Sequence, residues 1–316
     1  MQRLSPLVRR AIRRVSLLVV CFLMMEAANA QQLGHYIGGF TGLESGSTAP
    51  PGLYVAGFGL IQPVDTIKGP NGNTALRPKI DISGAIAVYQ VVFPQKILGG
   101  NYTLAFMVPV LNNRFNSNLF DVSAEAAGVS DVLLMPIGLG WTKERIDYSI
   151  NYSFYAPSGS FDPSLALNPG LGFWEHQIQA GLTWNIDKKK VWNFAGMTTW
   201  EINMSKSGLD VKPGPIFTGE YGLGARFFTK YKLMNAGLVG YASQKVSPDS
   251  GSINPLLKGY LDRGFGSGAE WKFTDPKHKL AYNVRYEWQY GSQLRPQGKV
   301  LIFSITYLDF LPPPKK

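Results

Sequence analysis

The chain has 316 residues, with 31 Lys or Arg against 21 Asp or Glu, a formal net charge of +10, and a single cysteine. One cysteine excludes a disulfide framework and a cysteine-ligated zinc, and a modest basic excess without a basic cluster leaves no footprint for nucleic acid. Beyond the N-terminal leader no run of about 18 apolar residues occurs, so a helix cannot carry this chain across a bilayer and a closed barrel is the only alternative.

Residues 1–30 read as a secretory signal peptide. Arg3, Arg9, Arg10, Arg13 and Arg14 form a basic head, Val15 to Met25 an apolar run, and Ala28-Asn29-Ala30 a small-x-small end. The apolar run, about eleven residues, is too short to span a bilayer as a helix. Cys21 lies in this leader, and the remainder carries 26 basic and 20 acidic residues. Residues 31–52 are glycine-rich. Two structures suit them: a plug folded into a barrel lumen, with His35 and Tyr36 as its polar contacts, or a disordered tail, since glycine permits both close packing and disorder.

From 53 to 310 the sequence alternates. Weak period-two patterns near 53–61, 80–93, 101–111 and 131–141 lead to a clean one at 145–156. There Ile146, Tyr148, Ile150, Tyr152, Phe154 and Ala156 share one face, and Arg145, Asp147, Ser149, Asn151, Ser153 and Tyr155 the other, until Pro157-Ser158-Gly159 breaks the strand. Equally clear alternation recurs at 174–186, 217–227 and 279–290, and weaker versions at 191–203, 232–245, 264–273 and 298–310. About twelve strands (range 10–14) of roughly ten residues result, the length a tilted strand needs to cross a membrane. The fold class is all-β: a transmembrane, antiparallel, up-and-down β-barrel.

Connections support the same reading. Long segments (62–79, 112–130, 157–173, 204–216, 246–263) alternate with short ones (94–100, 142–144, 187–190, 229–231, 274–278), and 291–297 is intermediate. Outer-membrane barrels alternate long external loops with short periplasmic turns, and an even strand count puts both ends of the barrel, and the 311–316 tail, on the short-turn side. Aromatic residues near strand ends (Trp141, Tyr155, Trp174, Trp184, Trp192, Trp200, Trp271, Trp288, Tyr290) suit interfacial girdles. Lysines gather in the short turns, where they meet water or anionic headgroups. The second face of the strands is polar: Arg145, Asp147, Glu175, Gln179, Glu201, Glu220, Arg226, Glu270, Lys272, Arg285 and Glu287 are the candidate lumen-lining residues. Buried charges of this kind require partners or water.

No catalytic, cofactor-binding or metal-binding constellation emerges. The sequence has three histidines, His35, His176 and His278. His176, on the apolar face near a strand end, is the one candidate base for a lipid-modifying enzyme, but the neighbouring strand offers Met197, Thr198 and Thr199 on that stretch rather than a serine nucleophile. A structural or adhesive barrel acting through its loops is a further possibility. The loops 157–173 and 246–263 are rich in Pro, Gly, Ser and Asp and nearly neutral, so they carry no readable binding chemistry.

Several ordered motifs carry a resemblance: Gly34-His35-Tyr36-Ile37-Gly38-Gly39, then Pro50-Pro51-Gly52-Leu53-Tyr54; Gly128-Val129-Ser130-Asp131 leading to Leu139-Gly140-Trp141; Tyr155 through Asp162; Trp174 with its strand; and Trp192 to Asn203. Taken together they resemble the family of outer-membrane proteins associated with the meta-pathway of phenol degradation, often called simply transporters. The resemblance implies an outer-membrane channel for passive uptake of small hydrophobic or aromatic compounds, in contact with outer-membrane lipid and inserted by barrel-assembly machinery. It implies no cofactor and brings no established site residues. Ser130 stands where the pattern leads one to expect glycine. The chain continues past Phe310, so the assembly signal falls on Phe303, Tyr307 and Phe310.

Overall fold

The computed structural model describes residues 33–310 except 118–121, 166, 229–232 and 256. The leader at 1–30, the tail at 311–316 and the turn at 229–231 therefore lie outside the described residues. Twelve staves make the barrel: β1 (Gly52–Lys68), β2 (Lys79–Ile97), β3 (Gly100–Ser117), β4 (Val132–Thr142), β5 (Ile146–Ala156), β6 (Glu175–Asn185), β7 (Trp192–Asn203), β8 (Ile216–Phe228), β9 (Leu233–Lys245), β10 (Arg263–Asp275), β11 (Leu280–Gln293) and β12 (Pro296–Phe310). Each pairs antiparallel with the next, and β12 closes on β1 in a register running from Gly52 opposite Phe310 to Ile67 opposite Pro296. Closure leaves no stave with an unpaired edge, as a structure surrounded by hydrocarbon requires.

Alternation along each stave gives the wall two chemistries. On β7, Asn193, Ala195, Met197, Thr199, Glu201 and Asn203 are buried inside, while Trp192, Phe194, Trp200 and Ile202 stand exposed outside. The exterior as a whole is a band of Ile150, Ile178, Leu182, Leu223, Leu238, Val284 and Ile305, bounded at the short-turn end by Trp184, Trp192 and Trp271 and at the long-loop end by Trp174, Trp200, Trp288 and Tyr290. An apolar belt between aromatic girdles around a closed barrel is a lipid-facing surface. Tyr155 is not part of the girdle. It faces inward, 5% exposed, because the strict alternation of β5 places it on the same side as Ser149 and Ser153.

Three departures from the alternation of sequence follow from hairpin geometry. β1, β2 and β3 run to 17, 19 and 18 residues instead of about ten, since pairing continues past the membrane: Thr74–Leu76 adds to β1, and Val122–Val129 adds to the outer half of β3. The segment from 94 to 100 is mostly strand, and its turn is Leu98-Gly99, both with positive φ (52° and 79°), the backbone a two-residue hairpin demands. The last hairpin, on the long-loop side, turns through Leu294-Arg295 alone, so the regular succession of long and short connections ends there.

Candidate functional site

Residues 33–49 pass through the barrel interior, and their backbone bonds are satisfied by the wall. Short turns, such as Phe40 N–H to the Ile37 carbonyl (3.1 Å) and Ser47 N–H to the Glu44 carbonyl (2.9 Å), fold the segment on itself but leave many amide groups free. Carboxylates of the staves accept those. Glu175 accepts from the His35 amide (2.8 Å) and Glu201 from the Tyr36 amide (3.1 Å). Glu220 accepts from the amides of Gly39 (2.7 Å) and Thr41 (2.9 Å), from the Tyr36 hydroxyl (3.0 Å) and from the Thr41 hydroxyl. Glu270 accepts from the Leu43 amide (3.0 Å) and Asp147 from the Ser47 hydroxyl (2.8 Å). Arg285 donates to the Gly39 carbonyl and, at 2.8 Å, to Glu270.

Glycine makes this approach possible. A Cβ on Gly34, Gly39 or Gly42 would overlap the carboxylates of Glu201, Glu287 and Glu270 in turn, and Gly46 lies directly on the backbone of Leu182 beside Gly181. Gly39 also needs its φ of 85°, which side-chain-bearing residues rarely adopt.

Two charged nodes anchor the segment. At the first, His35 lies between Asp131 (Nε2 to Oδ2, 2.8 Å) and Glu175 (Nδ1 to Oε2, 2.9 Å), its ring stacked on Tyr155 at 4.4 Å and 11°. Burial opposes charge on the imidazole, but the Glu175 and Asp131 carboxylates outweigh it and raise its pKa to about 9, so His35 is an imidazolium at neutral pH. Asp131 is fully buried and also accepts from the amides of Gly159 (2.9 Å), Leu171 (2.7 Å) and Gly172 (3.2 Å), tying the loop between β5 and β6 to the same histidine. At the second node Glu44 receives Lys272 (2.6 Å) and Arg226 (3.0 Å); burial works against its charge, but the two cations lower its pKa to about 2.

Three of the candidate lumen residues are not spent on the segment, and a separate buried group, Lys245 with Asp249 and Asp262 and Arg295 with Asp262, pairs within itself. Arg145 sits in the turn before β5, where its guanidinium donates to the carbonyls of Asn185 (3.1 Å) and Ile186, so it clasps the neighbouring turn and does not line the lumen. The geometric reason is that it lies one residue before the stave begins. Gln179 donates to the Thr199 hydroxyl (3.1 Å) across the β6–β7 pair. Glu287 is buried with no hydrogen-bond partner for either oxygen among the described protein groups, so water or a proton must serve it.

The opposite wall is different. Inward positions of β1, β2 and β12 carry no charge at mid-height and are mostly apolar, apart from Gln62, Thr66, Gln90 and Ser304, with Leu60, Val300 and Ile302 forming a buried cluster against which Ile37, Phe40, Phe58 and Ile82 pack. Between this wall and the segment lie two cavities. One, of about 280 Å³, opens towards the long loops and is walled by Leu60, Ile82, Met107, Leu111, Leu171 and Ile216 together with the polar Gln62, Asn113, Glu201 and Arg295. The other, of about 310 Å³, lies towards the short turns beside Phe58, Val88, Ala105, Leu133, Met135 and Met197. They share His35, Tyr36, Ile37, Ile86, Met107 and Tyr155, so they abut at that ring of residues.

Asp131, Glu44 and Tyr155 escaped the sequence reading of the site. Asp131 heads the weak alternation at 131–141 but in the structure precedes β4, and Glu44 lies in a segment without periodicity, so alternation marked neither as a site residue. The sequence signal for Asp131 was its motif, Gly128-Val129-Ser130-Asp131. Ser130 is accommodated there without positive φ, its amide donating to the Pro109 carbonyl at 2.9 Å.

A closed twelve-stave barrel with a lipid-facing belt and a polar interior defines a transmembrane β-barrel of the bacterial outer membrane. Within that class the chain belongs to the family described as "Putative MetA-pathway of phenol degradation", whose model matches residues 64–305. The match begins after the glycine-rich segment and most of β1. Among solved structures the chain is similar to an outer-membrane channel from Pseudomonas putida F1, with 12% identity, TM-score 0.67, and 83% of this chain and 97% of that chain covered. It is also similar to the β-domain of the Bordetella autotransporter BrkA, with 11% identity, TM-score 0.52, and 82% and 100% covered. At these identities the likeness is one of fold. No curated protein matches the sequence significantly.

Proposed function

We propose that the protein is a channel for passive uptake of small hydrophobic or aromatic compounds, and that such solutes pass between residues 33–49 and the apolar wall. The observation that carries this is the pair of abutting cavities, whose exposed lining is mostly apolar surface from residues such as Leu60, Ile82, Ile86, Met107, Phe58 and Leu133, interrupted by His35, Glu201 and Arg295. The charged groups on the path are already engaged, His35 by Asp131 and Glu175, Glu201 by the Tyr36 amide and Arg295 by Asp262, so an ion gains little there for the hydration it loses, whereas an apolar solute loses nothing. Residues 33–49 act as a plug that closes the polar half of the lumen and leaves the apolar half as the route. Family membership supports the solute class, and the outer-membrane channel of similar fold supports transport.

An enzymatic role has less support. His176 bonds the Tyr152 hydroxyl (2.8 Å) and stacks on its ring, and His35 is held between two carboxylates, so neither is poised as a base beside a serine. The test is uptake of a radiolabelled single-ring aromatic hydrocarbon by intact Gram-negative cells with and without the protein, with a sugar of similar mass as control. Faster uptake of the aromatic alone supports the channel. Identical rates with and without the protein would remove it.

A further inference from the structure

The cavity at the long-loop end contains one feature that a mere gap in packing would not. Tyr241, from β9, projects into its largely apolar lining and is held at both ring edges by glycine: Gly38 of the plug abuts the Cδ2–Cε2 edge and Gly266 of β10 the Cδ1–Cε1 edge, each so near that a Cβ would overlap the ring. Its hydroxyl oxygen accepts from Gln289 Nε2 (3.0 Å). The amide orientation of Gln289 is set in turn, because its Oε1 accepts from the Gly298 backbone N–H (3.0 Å). Tyr241 is therefore the acceptor in that pair, and among the described residues no group accepts its own proton. A buried phenol fixed by two glycines and a locked amide, with a donor facing a space of mostly apolar surface whose charged groups, Glu201 and Arg295, are already paired, is a preorganised polar contact of the kind that orients a ligand.

We propose that this cavity is a binding site for one small ring compound that is apolar apart from a single hydrogen-bond acceptor, which takes the Tyr241 proton. The inference rests on the reading of this path as a solute route and names a stop along it. At about 280 Å³ the space lies just below the range of about 300–1,000 Å³ typical of drug-sized ligands, and it suits a single substituted ring. Its floor is formed by the stacked His35 and Tyr155 rings with Ile86 and Met107, the residues at which the second cavity begins. A solute held there waits above the place where the two cavities meet.

The test uses the purified full chain in lipid nanodiscs, with empty nanodiscs as the partition control. Toluene and acetophenone serve as matched probes without and with an acceptor. The wild type binds acetophenone about five- to tenfold more tightly than toluene, the worth of one net hydrogen bond. Tyr241→Phe abolishes that preference while toluene binding stays as it was, and Ile86→Trp, which fills the floor, abolishes binding of both. Retention of heat-modifiable gel mobility establishes that each variant is folded. A preference that survives Tyr241→Phe, or binding of both probes that survives Ile86→Trp, overturns the site. Cellular uptake separates the two proposals: uptake without Tyr241-dependent binding keeps the channel and removes the site, and Tyr241-dependent binding without uptake keeps the site and removes the channel.

Discussion

The two halves of the barrel interior differ in what they do with a buried segment. From β5 to β11 the wall presents Asp147, Glu175, Glu201, Glu220, Arg226, Glu270, Lys272 and Arg285, and nearly all reach residues 33–49. Across β12, β1 and β2 the wall presents Leu60, Ile82, Val300 and Ile302, which meet Ile37 and Phe40 of the same segment, and Tyr54, Val92 and Leu308, which meet Ala49. Carboxylates are suited to backbone N–H groups that have no other partner, whereas an aliphatic wall holds a segment only through shape. One half of the interior therefore binds the chain's own N-terminal region, and the other stays available to something else.

The largest effect is expected on removing the segment. Deletion of residues 33–49 leaves Glu175, Glu201, Glu220 and Glu270 facing water, so planar-bilayer conductance should rise by at least about tenfold and become cation-selective, as carboxylate-lined pores are. Unchanged conductance would break the comparison, because the segment would then not be what closes the charged half.

Next comes the His35 node. His35→Ala leaves Asp131 and Glu175 buried without their cation, a loss of roughly 3–5 kcal/mol of anchoring by analogy with broken buried pairs. Limited proteolysis should then cut near residue 35 at protease concentrations that spare the wild type. The wild type reports the same link through pH. The His35 pKa is raised from 6.5 to about 9, so its contribution is complete below about pH 6.5 and is lost as pH rises through 9. Protection of this region from amide exchange, corrected for intrinsic rates, should fall over that window, and a flat profile would show that the histidine is not the anchor.

A more moderate change sharpens the other half. Met107→Trp crowds the place where the cavities meet at a packing cost of about 1–3 kcal/mol, and it should slow aromatic uptake while leaving protease protection of residues 33–49 intact. Loss of protection as well would mean that the two halves are not independent. The smallest effect belongs to Arg114→Ala, which breaks the exposed pair with Glu125 (2.8 Å) on the extension of β3 beyond the membrane; the melting midpoint should not move measurably.

Much of this was legible in advance, for reasons particular to each element. The face assignment of β5 follows from twelve residues of alternation, since a pleated strand must send neighbours to opposite sides and only one side of this one is apolar. The one-sided placement of charge went unread: between 52 and 113 the charged residues are Asp65, Lys68, Arg77, Lys79, Asp81 and Lys96, all near the ends of β1 and β2, but strand alternation does not say which staves face one another across the lumen. Hairpin lengths were not legible at β1–β3, because pairing beyond the membrane has no boundary in hydropathy, nor at Leu294-Arg295, where the turn contains no glycine to announce it. The partners of the inward charges were out of reach for a different cause: Glu220 and Thr41 are 179 positions apart, and no local pattern encodes such a meeting.

The sequence by itself determined the class of architecture, the lipid-facing and interior faces, and the chemistry available inside, because each depends on spacing along a single strand. Only the tertiary structure decided where residues 33–49 lie, which carboxylate serves which amide, and that His35 bridges Asp131 and Glu175. Those outcomes depend on closure of twelve staves around one interior, which brings side chains from distant strands within 3 Å of a segment whose glycines leave room for them.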